Sequence, residues 1–154
     1  MSNKETIEIS IPADNDGFVL LQCSHCGEFF KLSVSDCEDD YILNVFCPSC
    51  GLISDSYITE DVKELAMAIA ENYALDKLYD ALKDIEKSTK GSNFIQFKAG
   101  KKPKHKVESP IRLGIENLEI AYFNCCQKSA KIKPLLRMAG CCCPFCGVKN
   151  YEIE

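Results

Sequence analysis

The sequence predicts a small α+β fold that depends on metal: two cysteine-clamped β modules joined by an α-helical segment and a basic linker. Three observations carry this. Cysteines stand in close pairs near both ends of the chain, as CSHC and CPSC at Cys23–Cys26 and Cys47–Cys50, and as CC and CPFC at Cys125–Cys126 and Cys143–Cys146. Apolar runs rich in Val, Ile, Leu and Phe lead into the pairs, as strands do. Between the two ends, apolar residues recur at helical spacing. The boundaries read as residues 1–58 for the first module, 59–90 for the helix, 91–114 for the linker and 115–154 for the second module.

The 154 residues are 46% hydrophobic and 27% charged, which places the chain among folded rather than disordered proteins. Its longest apolar run, LAMAIA, is far short of the roughly 20 residues of a membrane span. The opening MSNKETIEIS lacks the apolar core of a secretion signal. A cytoplasmic location follows as the expectation, and there clustered cysteines bind metal more often than they form disulfides. Eleven cysteines is also an odd number for a disulfide framework.

In the first module, TIEISI (6–11) alternates as a half-buried strand, and FVLLQC and YILNVFC read as strands entering the cysteine pairs. The helix opens at Thr59-Glu60-Asp61, where a cap and two acids suit the electropositive end. Val62, Leu65, Ala66, Ile69 and Tyr73 form one stripe, and Leu75, Leu78, Leu82 and Ile85 form another. The phase changes near Ala74, which predicts a bend or two helices, with Gly91 ending the segment; both stripes read as packing faces. FKAGKKPKHKVESP reads as a flexible, solvated linker. IENLEIAYFNCC and CCCPFCGVKNYEIE supply the last two strands.

Cys23, Cys26, Cys47 and Cys50, with 20 residues between the pairs, have the spacing of a structural zinc site. Two residues between cysteines let the chain turn and aim both sulfurs at one ion, and Gly27 and Gly51 relieve the turns. LLQCSHCGEFF…NVFCPSCG, over residues 18–58, resembles a zinc ribbon, a three-stranded module clamped by two cysteine knuckles. The resemblance implies a metal site and leaves function open. The CPxCG knuckle is similar to that of rubredoxins, which hold iron and carry electrons, but their core usually includes Trp and this chain has none. His25, between two ligands, reads as an exposed residue pointing away from the ion. Cys37, among acids in SVSDCEDD, reads as a bystander.

The second module repeats the first. CPFCG echoes CPSCG, and CQKSAKI from Cys126 lines up with CGEFFKL from Cys26. Cys126, Cys143 and Cys146 are therefore ligands of a second zinc site. The position matching Cys23 is Phe123, so the fourth ligand is open: Cys125 first, then Cys141 or Cys142, or no metal at all. Unused cysteines read as buried small hydrophobes. Three thiolates and a water would be a catalytic geometry, but no general base stands near, and no catalytic or nucleotide-binding fingerprint occurs. No enzyme and no small-molecule substrate are expected.

Charge is unevenly spread. Residues 1–60 carry two Lys and eleven acids, or −9; residues 91–154 carry eleven Lys or Arg and five Glu, or +6; the remainder, −2, completes the net −5. Three functions follow. The first is an adaptor or regulatory protein that docks on a larger protein or nucleoprotein assembly, or on a second copy, through the acidic first module and the helical segment. The second is a nucleic-acid-binding protein, similar to transcription zinc ribbons, using Lys101, Lys102, Lys104, Lys128, Lys131, Lys133 and Arg137, with Lys149 beside them; Phe123 and Phe145 could stack on bases, but burial in the ribbon is the first expectation for both rings. Against it stands a surface that merely complements the acidic half of the same chain. The third is a rubredoxin-like iron carrier. No membrane partner is expected.

Overall fold

The computed structural model describes residues 6–112, 114 and 117–151. Leu113, Ile115 and Glu116, where the second module was expected to begin, and Glu152–Glu154, the end of its last strand, lie outside the described residues. Contacts divide the chain into two compact units, Ser10–Glu60 with Ile111–Glu154, and Met1–Ile9 with Asp61–Pro110.

The first of these holds both cysteine modules in one sheet. Strands β1 (Phe18–Gln22) and β2 (Phe29–Ser33) form a hairpin, as do β3 (Glu119–Phe123) and β4 (Lys128–Ile132). The hairpins join edge to edge, β2 against β4, into a four-stranded antiparallel sheet of order β1-β2-β4-β3. At the join Lys31 faces Lys131 and Leu32 faces Ala130. Lys31 and Lys131 are matching positions of the repeat, so the sheet has an internal pseudo-twofold axis between them. Short helices follow each inner strand, α1 (Val34–Cys37) and α3 (Pro134–Ala139). Ser33 caps the first by accepting from the Asp36 amide, and Pro134 opens the second with its φ already set. Strands β5 (Cys141–Cys142) and β6 (Lys149–Asn150) pair in a separate two-stranded sheet.

One face of the sheet is the core. Phe30, Leu32, Ala121, Phe123, Ala130 and Ile132 are fully buried together with Cys141 and Cys143. Tyr57 packs edge-on against Phe30, ring centroids 5.6 Å apart, and its hydroxyl donates to the Val45 carbonyl at 2.6 Å. On the other face Lys31 and Lys131 are themselves buried, and both reach Asp14, at 2.8 and 2.9 Å.

Two strand expectations fail. Residues 6–11 are irregular, since an alternating run without a strand neighbour has nothing to pair with. Residues 41–45 are also irregular, with Tyr41 94% and Leu43 87% exposed; only Phe46, bridged to Ile53, belongs to a ladder.

In the other unit, helix α2 (Glu60–Thr89) is one unbroken helix rather than two. No Gly or Pro interrupts it, and Ala74, at the phase change, is the best helix former. The change of phase has a different meaning: Leu78 and Ile85 of the second stripe are about half exposed, while Val62, Ala68 and Asn72 are buried. The linker is exposed over 101–110, as expected, but is fixed as a strap running antiparallel to the helix. The Phe97 amide donates to Thr89 Oγ1, Lys102 and His105 pair with Asp76, and Lys106 meets Asn72.

Candidate metal centres

Each centre is built from tight turns at strand ends. In the first, β1 hands over at Cys23, whose amide donates to the Glu28 carbonyl to close the hairpin. The Gly27 amide then donates to the Cys23 carbonyl at 2.8 Å, with Gly27 at φ 74°. The Cys47 turn is closed the same way by Gly51, at φ 71°. The four sulfurs of Cys23, Cys26, Cys47 and Cys50 lie within 4.8 Å of one another. Cys23 and Cys50 are 3.8 Å apart and Cys26 and Cys47 3.6 Å. A tetrahedron with metal–sulfur bonds of about 2.3 Å has edges of about 3.8 Å, so the cluster fits a four-coordinate ion. His25 points to the other side and bonds the Ile53 carbonyl, at 3.0 Å, tying the two turns together outside the sulfurs.

The second centre brings together Cys125, Cys126, Cys143 and Cys146, again within 4.8 Å, with Cys125 and Cys146 3.6 Å apart. The Gly147 turn at φ 73° repeats that of Gly51. The other turn is altered. Gln127 holds the place of Gly27 and keeps a positive φ of 53°, at a cost of about 1 kcal/mol. Phe123 occupies the place of Cys23 and is sunk in the core, while Cys125, matching His25, turns inward to the cluster and receives the Asn150 amide at 3.7 Å. Cys141 lies in the apolar core, and Cys142 packs its sulfur where a Cβ on Gly51 would stand. Neither belongs to the cluster. Cys37 belongs to neither cluster.

The thiols are not alike. Burial works against ionisation at Cys23, but amides of Cys26 and His25 and the neighbouring thiols bring it down to about 7. Burial pushes Cys47 and Cys143 far up, and raises Cys126 to about 11 and Cys141 to about 11. Amide donors aimed at Cys23, Cys26, Cys47, Cys143 and Cys146 would spread thiolate charge once an ion is held. Eight thiols in two tetrahedra can hold two metal ions, and all-sulfur donor sets of this shape suit zinc or iron.

The lysines and arginine considered for nucleic acid meet acids of their own chain. Lys128 pairs with Asp36 and Asp39, Lys131 with Asp14 and Asp16, Lys133 with Glu28 at 2.6 Å, and Arg137 with Glu119 at 3.8 Å. Lys102 pairs with Asp76; Lys101 and Lys104 are exposed. Phe123 is buried, and Phe145 lies under the Lys128 ammonium. The sequence signal for these pairs was the opposite charge of the two halves; what it hid was the strand join that brings the halves together.

No family model matches the chain, and no curated protein or solved structure is significantly similar to it. The centres therefore rest on their own geometry, which is compatible with zinc-ribbon-like modules. No helix among the described residues is long and apolar enough to cross a membrane.

Proposed function

We propose that the protein is a non-enzymatic, zinc-binding adaptor of the reduced cytoplasm, in which two zinc ions hold the shared sheet and the helix offers the docking face. The observation that carries this reading over nucleic-acid binding is the internal pairing of Lys128, Lys131, Lys133 and Arg137, each of which meets an acid of its own chain. Along one side of α2 an apolar line is exposed: Met67 is 63% and Leu78 58% exposed, with Ile85 on the same side. The partner is a protein or a second copy of this chain.

The test has two parts. Metal analysis of the native protein is expected to find zinc in a colourless sample; a red, iron-loaded sample would favour an electron carrier. Titration with DNA and RNA at rising salt is expected to show weak binding. Tight binding with a steep salt slope would favour the nucleic-acid reading. For docking, Leu78→Glu with Ile85→Glu is expected to abolish self-association or partner binding while metal content stays unchanged.

A further inference from the structure

We propose that Cys125 and Cys146 form an oxidation site, through which a peroxide releases the second metal ion while the first stays bound. The inference rests on the reading of both clusters as zinc centres.

Four observations lead there. Among the eight clustered cysteines, Cys125 and Cys146 are the neighbouring pair in which both residues are exposed; in the first centre, exposed Cys26 lies against buried Cys47, and Cys23 against half-exposed Cys50. Their sulfurs are 3.6 Å apart, so closing to a disulfide of about 2.05 Å needs a movement of about 1.5 Å, within reach of side-chain rotation on a surface turn. The two centres also differ in how they are closed. Over the first, His25 ties one turn to the other through the Ile53 carbonyl, and Ser24 meets Ser54, which is buried. In the second, the residue matching His25 is Cys125 itself, so the tie is replaced by a ligand. An open groove of about 410 Å³, lined by Tyr41, Phe46, Lys128 and Phe145, leads to Cys126 at the same centre.

The chemistry balances with hydrogen peroxide as the two-electron oxidant. The zinc–sulfur bonds of Cys125 and Cys146 break, and one sulfur–sulfur bond forms between them. The two thiolates give up two electrons. The peroxide O–O bond takes them and, with two protons, yields two waters. Zinc would keep its divalent state throughout, and of the four ligands only Cys126 and Cys143 would remain to hold it. A thiol reductant breaks the disulfide and returns both cysteine thiols, and resupplied zinc then refills the site.

The full-length, zinc-loaded protein would be treated with hydrogen peroxide while released zinc is followed with a colorimetric chelator, and disulfides would be mapped by peptide mass spectrometry. The expected result is a fast phase of about one zinc per chain, a Cys125–Cys146 linkage, and a slow phase for the remaining ion. Cys125→Ser is expected to remove the fast disulfide, and Cys37→Ser to change nothing. Release of both ions in one phase, or a first disulfide within Cys23, Cys26, Cys47 and Cys50, would overturn the proposal and leave the zinc reading intact. So would a chain that binds one ion, at the first centre. A purified chain that holds no metal at all would instead overturn the zinc reading beneath it.

Discussion

The Phe46 amide donates to the Pro144 carbonyl at 2.8 Å, and the matching Cys142 amide donates to the Pro48 carbonyl at 2.9 Å. Each bond runs from the residue before one CPxC turn into the turn of the other module. The same two side chains cover the opposite glycines: a Cβ on Gly147 would stand 2.8 Å from the Phe46 ring, and one on Gly51 2.9 Å from the Cys142 sulfur. The two metal turns thus brace each other across the pseudo-twofold axis. The unused members of the cysteine triplet accordingly have work: Cys142 is the counterpart of Phe46, and Cys141 fills the core.

This bracing sets the cost of losing each glycine. Gly51→Ala and Gly147→Ala meet both a positive φ and a close neighbour, and are expected to cost about 2 kcal/mol or more. Gly27→Ala has the same kind of φ, but open space around its Cβ, and is expected to cost about 1 kcal/mol. Urea unfolding of the zinc-loaded proteins checks the order. Adding Cys142→Ala to Gly51→Ala should recover part of the loss, because the two changes share one contact.

Metal binding should expel protons. In the metal-free chain burial holds Cys47, Cys126 and Cys143 above the ordinary thiol value, so at neutral pH they carry protons that must leave when zinc binds. Zinc affinity is therefore expected to rise with pH and fall in acid. Calorimetric titration at pH 7 in buffers of different ionisation enthalpy should register roughly three to four protons released per ion. A pH-independent affinity would contradict four-thiolate ligation.

Much of this was legible in the chain, and the reason is local. CxxCG encodes a turn, its glycine and its sulfurs within five residues, so the first centre could be read directly. The second was legible only as a repeat, because Phe123 stands where a ligand should and the replacement, Cys125, lies two residues away on a turn bent by Gln127. The joined sheet was not legible. Pairing β2 with β4 depends on residues far apart in sequence, and Lys31 and Lys131 look like surface lysines until the strands meet. The strap was missed for a similar reason: the segment is solvated, as its Lys, Gly and Pro content reads, and what fixes it are single side chains of α2.

The charge cluster at that sheet join gives a second stability test. Burial opposes ionisation of Asp14, but Lys31 and Lys131 hold its carboxyl well below the usual carboxylate range. A depressed carboxylate contributes stability at pH values above its unfolded value of about 3.9, and the contribution is lost as pH falls through the lower folded value. Asp14→Asn takes the Asp14 carboxylate from buried Lys31 and leaves Lys131 with Asp16, and should cost about 2–4 kcal/mol. The difference between wild type and variant should stay level from pH 8 to 5 and shrink below about pH 4. A difference that shrinks already between pH 8 and 6 would show that Asp14 is not the group holding the lysines.

Asn72 should decide whether the strap stays on the helix. Its amide donates to the Lys106 carbonyl at 3.0 Å and to Glu108 at 2.9 Å, while its oxygen accepts from the Lys106 amide at 2.7 Å. Asparagine is an indifferent helix former, yet it sits buried at the middle of α2, where an apolar residue would be the cheaper choice. What it supplies is a pair of bonds to one strap residue that no hydrocarbon can make. Asn72→Ala raises helix propensity but leaves the backbone of Lys106 without partners, at about 1–3 kcal/mol locally. Because that loss falls on strap opening rather than on the sheet, urea unfolding of the cysteine-bearing unit should be unchanged. Trypsin cleavage at Lys101–Lys106 should instead speed up by about ten-fold or more, with the faster amide exchange confined to the same residues. Equal cleavage rates in variant and wild type would mean that Lys102 and His105, through Asp76, suffice to hold it.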